Sequence, residues 1–189
     1  MDIDKIIAVD VETSGFSKGD DITLNYQIVS IGLIIADKNF KEIDSFYCEI
    51  KWNGISEWDK YAEKIHGLSK EYLDANGLDE EDAVFAITEF LLKHIEPDEY
   101  IFFLGQNPRN FDVPFFTKLT NKHDVHFKIA HRTVDSFSIG FAAFGAQNSD
   151  ELFGMFYDTR KEHNALDDAR MSLGVCRRVK KIIKAALEE

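Results

Sequence analysis

Apolar residues follow two regimes along this chain. Residues 5 to 12 hold an unbroken apolar run, Ile6-Ile7-Ala8-Val9, and Tyr26 to Ala36 hold another, with Ile28, Val29, Ile31, Leu33, Ile34 and Ile35, so each predicts a buried strand. A polar loop lies between them. After a turn at Asp37-Lys38-Asn39, Ile43 to Ile50 alternates in polarity and predicts a third strand, so the N-terminal third reads as a meander. Then the period changes. Ser56 to Asn76 reads as irregular or short-helical, and Asp79-Glu80-Glu81-Asp82 opens a helix to about His94, with acids at its positive end and Pro97 beyond its exit. Tyr100 to Leu104 predicts a short strand, Phe111 to Asn121 a helix, and His131 to Val134 a last strand leading into a Phe-rich stretch from Phe137 to Phe144. A final helix is predicted from about Asn164 to Leu187. A meander followed by alternating strand and helix predicts a mixed sheet with helices on its faces, an α/β or α+β sandwich.

Composition narrows the class. At 189 residues, 44% apolar and with no linker or repeat, the chain is expected to form one domain over residues 1–189. Cys48 and Cys176 lie far apart with no metal-ligand spacing, which suits buried thiols in a reducing compartment. The N-terminus Met1-Asp2-Ile3-Asp4-Lys5 lacks the pattern of a signal peptide and no run is long enough to span a bilayer, so a cytoplasmic protein without a membrane partner is expected. A net charge of −12 argues against coating duplex nucleic acid, since the one dense basic stripe is Arg177-Arg178 with Lys180-Lys181. A nucleic-acid substrate would have to be held over a short contact, as at a chain end.

The chemistry is carried by acids. Asp10 and Glu12 close the first apolar run, and residues two apart on a strand point to the same face. Two carboxylates so placed repel each other unless a cation lies between them, which makes them half of a divalent-metal cradle. Taken alone, such a tripeptide equally fits a polar strand end; Thr13-Ser14-Gly15 beyond it adds hydroxyls and pliable backbone suited to a ligand. In the last helix, winding at about 100° per residue puts Ala169, Leu173, Cys176, Val179, Ile183 and Leu187 on one face, with Asp168 roughly 70° from its centre and Asp167 roughly 170° away. Asp168 is therefore the inward carboxylate, and a buried acid calls for a partner or a metal; Asp167 should be solvated. His163, on the loop before this helix, could take a proton from water, although any of His66, His94, His123, His126 and His131 shows that a loop histidine is ordinary. Asp112 falls at a helix start, where an acid is favourable as a cap for its own sake.

Together, Val9-Asp10-Val11-Glu12-Thr13-Ser14-Gly15, Asn107 to Phe116 with Phe111-Asp112, and His163-Asn164-Ala165-Leu166-Asp167-Asp168-Ala169 resemble the three motifs of the DEDDh 3′–5′ exonucleases in order and broad spacing. Ile65-His66-Gly67-Leu68-Ser69 is similar to a segment often found between the first two. The resemblance spans residues 6 to about 176 and implies a ribonuclease H-like fold: a mixed five-stranded sheet with one antiparallel strand and helices on both faces. It implies that Asp10, Glu12, Asp112 and Asp168 bind two Mg²⁺ or Mn²⁺ ions about 4 Å apart, and that His163 activates the attacking water. It further implies that Thr13, Ser14, Gly15 and Phe16 hold the terminal nucleotide and that His66 and Asn107 meet the substrate; here Gln106-Asn107 stands where many members have His-Asn.

The expected activity is release of 5′-mononucleotides from the 3′ ends of single-stranded DNA or RNA, or from very short oligonucleotides. Two alternatives stand beside it: a catalytically idle protein that binds nucleic-acid ends, and an acidic metal-binding protein unconnected with nucleic acid. A proofreading subunit with a polymerase partner is a specialised form of the first reading, which the lack of a long tail makes less favoured than a free-standing enzyme. The choice of sugar, a homodimer, and which phenylalanines stack on bases are all left open by the sequence.

Overall fold

The computed structural model describes residues 4–156 and 163–188. Five strands, β1 (Lys5–Thr13), β2 (Ile28–Asp37), β3 (Glu42–Glu49), β4 (Phe103–Gly105) and β5 (Val134–Asp135), form one sheet in the order β3-β2-β1-β4-β5. β2 runs antiparallel to both β1 and β3, whereas β1, β4 and β5 pair in parallel, so β2 is the strand of opposite sense. The predicted meander is β3-β2-β1, and the alternating region supplies β4 and β5 with the helices that cover the sheet.

Alternation along the strands divides the core. Ile7, Val9 and Val11 of β1 and Ile31, Leu33 and Ile35 of β2 face α3 (Glu80–Leu92) and α4 (Asp112–Lys122), which contribute Val84, Ile87, Leu91, Phe115 and Phe116. Ile6 and Ala8 of β1 and Ile34 and Ala36 of β2 point the other way, onto Ala169, Leu173 and Cys176 of α7 (Ala165–Glu188). Both layers are thus closed by burying apolar side chains, each worth roughly 1.5–3 kcal/mol when a Val, Leu, Ile or Phe is fully covered. The even-numbered face of β1 is the α7 face, and Asp10 and Glu12 continue it.

Two short helices, α1 (Lys60–His66) and α2 (Lys70–Asn76), fill the stretch between meander and α3 and are capped by the side chains of Asp59 and Ser69. The structure departs from the sequence expectations in five places. β4 lies at Phe103–Gly105 rather than from Tyr100, because Ile101 leaves the ladder and bridges Ile129. β5 is Val134–Asp135, pushed beyond the expected His131–Val134. The Phe-rich stretch is a helix, α5 (Ser136–Phe144), started by Asp135, whose carboxylate accepts the Phe137 N–H, and stopped by Gly145 at a φ of 77°; α6 (Ser149–Gly154), capped by Asn148, has no counterpart among the expected elements. Finally, α7 outruns the sheet, so that Ile183 and Leu187 are 55% and 81% exposed instead of buried with the rest of their stripe. Among the described residues no helix is long and apolar enough to cross a membrane. Both cysteines are buried, as expected, and burial pushes each thiol up to about 12.

Candidate active site

Three segments converge at the carboxyl end of β1. Asp10 pairs across the ladder with Gly32 and Glu12 with Ser30, and directly opposed residues share a face. A Cβ built on Gly32 would lie 2.4–2.5 Å from the backbone of Ala165 and Leu166, so the bare α-carbon of Gly32 admits the first turn of α7 against the sheet. That contact sets Asp168 beside Glu12, while Asp10 continues the same face of β1. Asp168 is 6% exposed, and the donor atoms of Glu12, His163 and Asp168 all lie within 4.8 Å of one another. Asp167, expected in solvent, is half-exposed and pairs with Arg170 at 3.3 Å. Arg170 reaches on to Glu42 through two hydrogen bonds of 3.1 Å, latching α7 to β3; that guanidinium holds the Glu42 carboxyl below its usual range.

Asp112 enters from the opposite layer. The parallel ladder between β1 and β4 ends at Ala8 and Leu104, which leaves the Val11 amide beyond it without a β4 partner. Asp112 Oδ1 accepts that N–H at 3.0 Å, between the positions of Asp10 and Glu12. Its carboxyl is 3% exposed, and burial raises it to about 8 against the opposing pull of hydrogen bonds from its own backbone and from Val11. Phe111, not Asp112, occupies the cap position of α4, so the acid is turned into the site instead of serving the helix end. Positive charge beside a group held this way favours its ionised form, and carboxylate donors suit a hard divalent cation.

The strip after Glu12 is rigidly built. The β1–β2 register shifts between Glu12 and Thr13, and Thr13 is buried. Ser14 is buried too: its N–H donates to the Gln27 carbonyl at 2.9 Å, its hydroxyl accepts the Gln27 N–H at 3.2 Å, and its carbonyl accepts the Asp59 N–H at 2.7 Å. Gly15 sits at a φ of 139°, and a Cβ there would lie 2.4 Å from the Tyr26 ring and 2.9 Å from Asp59. Gly15→Ala should therefore displace the strip, with a loss of about 1–3 kcal/mol and a raised KM for any ligand held there; a melting curve and a KM matching those of the parent would show that the strip tolerates the change. Phe16 is 52% exposed and meets Phe111 edge-on at 6.0 Å between ring centroids, whereas Phe115 and Phe116 are core residues.

His66 is buried at the end of α1. Its Nδ1 accepts the Leu68 N–H at 3.0 Å, and burial lowers its pKa, with Glu63, the Thr13 backbone and His163 as its further neighbours. Asn107 is exposed, with a φ of 48°; its N–H donates to Asp135 Oδ1 at 3.1 Å and its side chain accepts from Asn110 at 2.7 Å, so it fixes the loop ahead of Asp112. His163 has a φ of 57°. Sequence reasoning did not single out Gly32 or Arg170, the residues that seat α7; a glycine inside a strongly apolar strand is the one signal that could have flagged the first.

The family model described as exonuclease matches residues 7–176. The chain is 32% identical over 182 residues to the 3′–5′ DNA exonuclease Cap18 of Escherichia coli, covering 93% of this chain and 91% of that one. It is 28% identical over 171 residues to the DNA polymerase III subunit epsilon of Buchnera aphidicola, covering 87% of this chain and 68% of the relative. Among solved structures, E. coli exonuclease I with a dT13 oligonucleotide superposes with a TM-score of 0.75 at 14% identity, over 98% of this chain and 43% of that one. The nuclease domain of 3′hExo, a DEDDh family member bound to rAMP, superposes with a TM-score of 0.67 at 15% identity, over 95% and 92% of the two chains. The chain thus spans less than half of exonuclease I, and it carries the same mixed five-stranded, ribonuclease H-like fold. The chain belongs to the exonuclease family, as a DEDDh-type 3′–5′ exonuclease.

Proposed function

We propose that residues 1–189 form a single exonuclease domain that shortens single-stranded nucleic acid, DNA foremost, from its 3′ end and releases 5′-mononucleotides. The observation that carries this reading is the convergence of Glu12, His163 and Asp168 within 4.8 Å, alongside Asp112 pinned to the backbone between Asp10 and Glu12. The likeness to a DNA exonuclease at 32% identity supports the choice of sugar.

Asp10, Glu12, Asp112 and Asp168 would hold two divalent cations, Mg²⁺ or Mn²⁺. Bound there, the cations would supply charge neutralisation at the scissile phosphate and at the departing 3′-oxygen. The chain's own residues do the rest. The strip Thr13 to Phe16 positions the terminal nucleotide, and the ring of Phe16 offers an exposed face for a base, a contact worth on the order of 1–3 kcal/mol. His66 is held at the end of α1, its Nδ1 accepting the Leu68 N–H, where it can meet the substrate end, and Asn107 orders the loop that delivers Asp112. His163 removes a proton from the attacking water, with Glu12 and Asp168 gathered beside it.

The test is incubation with 5′-labelled single strands and Mn²⁺. Stepwise shortening from the 3′ end is expected, with release of mononucleotides and full arrest on adding a chelator. Strands bound at high protein concentration but unchanged in length would identify an idle end-binding protein instead. Matched DNA and RNA strands in the same assay decide the sugar.

A further inference from the structure

The basic stripe of the last helix has no part in the site described above. Arg177, Lys180, Lys181 and Lys184 lie three and four residues apart, so they share one face of α7, and together with Asn39 and Lys41 from the β2–β3 turn they line an open groove. In a chain of net charge −12, this face packs cation against cation at i,i+3 and i,i+4, an arrangement unfavourable in itself. The nearby acids Asp37 and Glu42 attract Lys41, Lys180 and Arg177, but their hydrogen bonds go elsewhere. Glu42 is committed to Arg170, Asp37 accepts the backbone N–H groups of Asn39 and Lys41, and Glu188 reaches Lys184 alone, at 3.7 Å. Lys180 is steadied by the Lys38 carbonyl at 2.6 Å and by the Phe40 ring at 5.7 Å, so one cation of the groove is held in place. The exposed apolar side of the same helix, Val179, Ile182 and Ile183, belongs to a separate depression shared with α5.

We propose that this groove binds the phosphodiester backbone of the single strand whose 3′ end occupies the active site. Lys180 to Lys184 stand twelve to sixteen residues past Asp168 on one straight helix, roughly 18–24 Å at a rise of 1.5 Å per residue. That span equals about five to seven nucleotides of stacked strand at 3.4 Å each. It also exceeds the screening length at physiological salt, about 8 Å, so the groove acts by touching the strand and not as a field over the active site. An otherwise acidic enzyme thereby gains grip on long strands while leaving very short ones unaided. The inference rests on the function proposed above, which supplies the strand.

The test uses Lys181→Glu with Lys184→Glu, both exposed and outside the catalytic machinery, in the full chain. On a trinucleotide, kcat and KM should match the parent; on a 20-nucleotide single strand, KM should rise at least tenfold with kcat unchanged. The slope of log affinity against log salt for the 20-mer should fall by about 1.4, since each phosphate that a lysine no longer neutralises takes about 0.7 from it. An unchanged KM on the 20-mer, or an equal rise on both lengths, overturns the proposal. So does parental binding to vesicles of anionic lipid that the double substitution abolishes while the 20-mer is untouched. If the parent cuts neither length, the catalytic reading is what fails; anisotropy of the labelled 20-mer, with and without the two substitutions, still decides the groove by itself.

Discussion

Asp168→Ala is expected to lower turnover by at least on the order of 10³-fold, while Asp167→Ala, one residue away, leaves it near the parental value. The two acids differ in what they touch. Asp168 is buried and gathered with Glu12 and His163, so removing it takes a charge from the cluster proposed to hold cations. Asp167 lies half-exposed against Arg170, whose main hold is on Glu42, and exposed ion pairs contribute about 0–1 kcal/mol. Initial rates on a labelled strand with Mn²⁺, measured beside melting curves, separate loss of chemistry from loss of fold. A reversed order of the two variants would mean that the inward face of α7 is not the catalytic one.

Gly32→Ala should be nearly as damaging without altering a charged or polar group. One methyl at this position would meet the backbone of Ala165 and Leu166 at 2.4–2.5 Å, and backbone at a helix start cannot swing aside as a side chain can. The first turn of α7 must retreat, taking Asp168 and His163 away from Asp10 and Glu12. A misplacement of about 1 Å can cost 10²-fold in rate, and overpacking of this kind costs about 1–3 kcal/mol of stability. Gly154→Ala is the control, since nothing lies within 4 Å of a Cβ built there, and it should leave rate and melting unchanged. If Gly32→Ala retains the parental rate, α7 is not seated through that contact.

The readability of these features from the sequence follows from the range of the forces that make them. β1 and β2 are long apolar runs, β3 alternates and α7 is strongly periodic, and their limits fall within a few residues of expectation. The inward placement of Asp168 follows from helical geometry alone. α5 was hidden because Phe137 to Phe144 is apolar all round, which carries no period; its signals were instead the Asp135 cap and the Gly145 stop. β4 and β5 shifted because two- and three-residue strands are set by their neighbours, as the side pairing of Ile101 with Ile129 shows. The motif singles out Asp112, but its anchor on the Val11 amide depends on where β4 stops, a tertiary fact. Gly32 was invisible for the same reason: its importance is the nearness of a segment more than 130 residues away.

The seating of α7 on Gly32 also dates the birth of the enzyme during synthesis. Chain growth delivers the meander and α4 with Asp10, Glu12 and Asp112 before His163 and Asp168, which arrive with the start of α7. A nascent chain on the ribosome, surrounded by RNA, therefore carries an unassembled candidate site until that helix has emerged and docked. Competence to cut waits on the docking of α7.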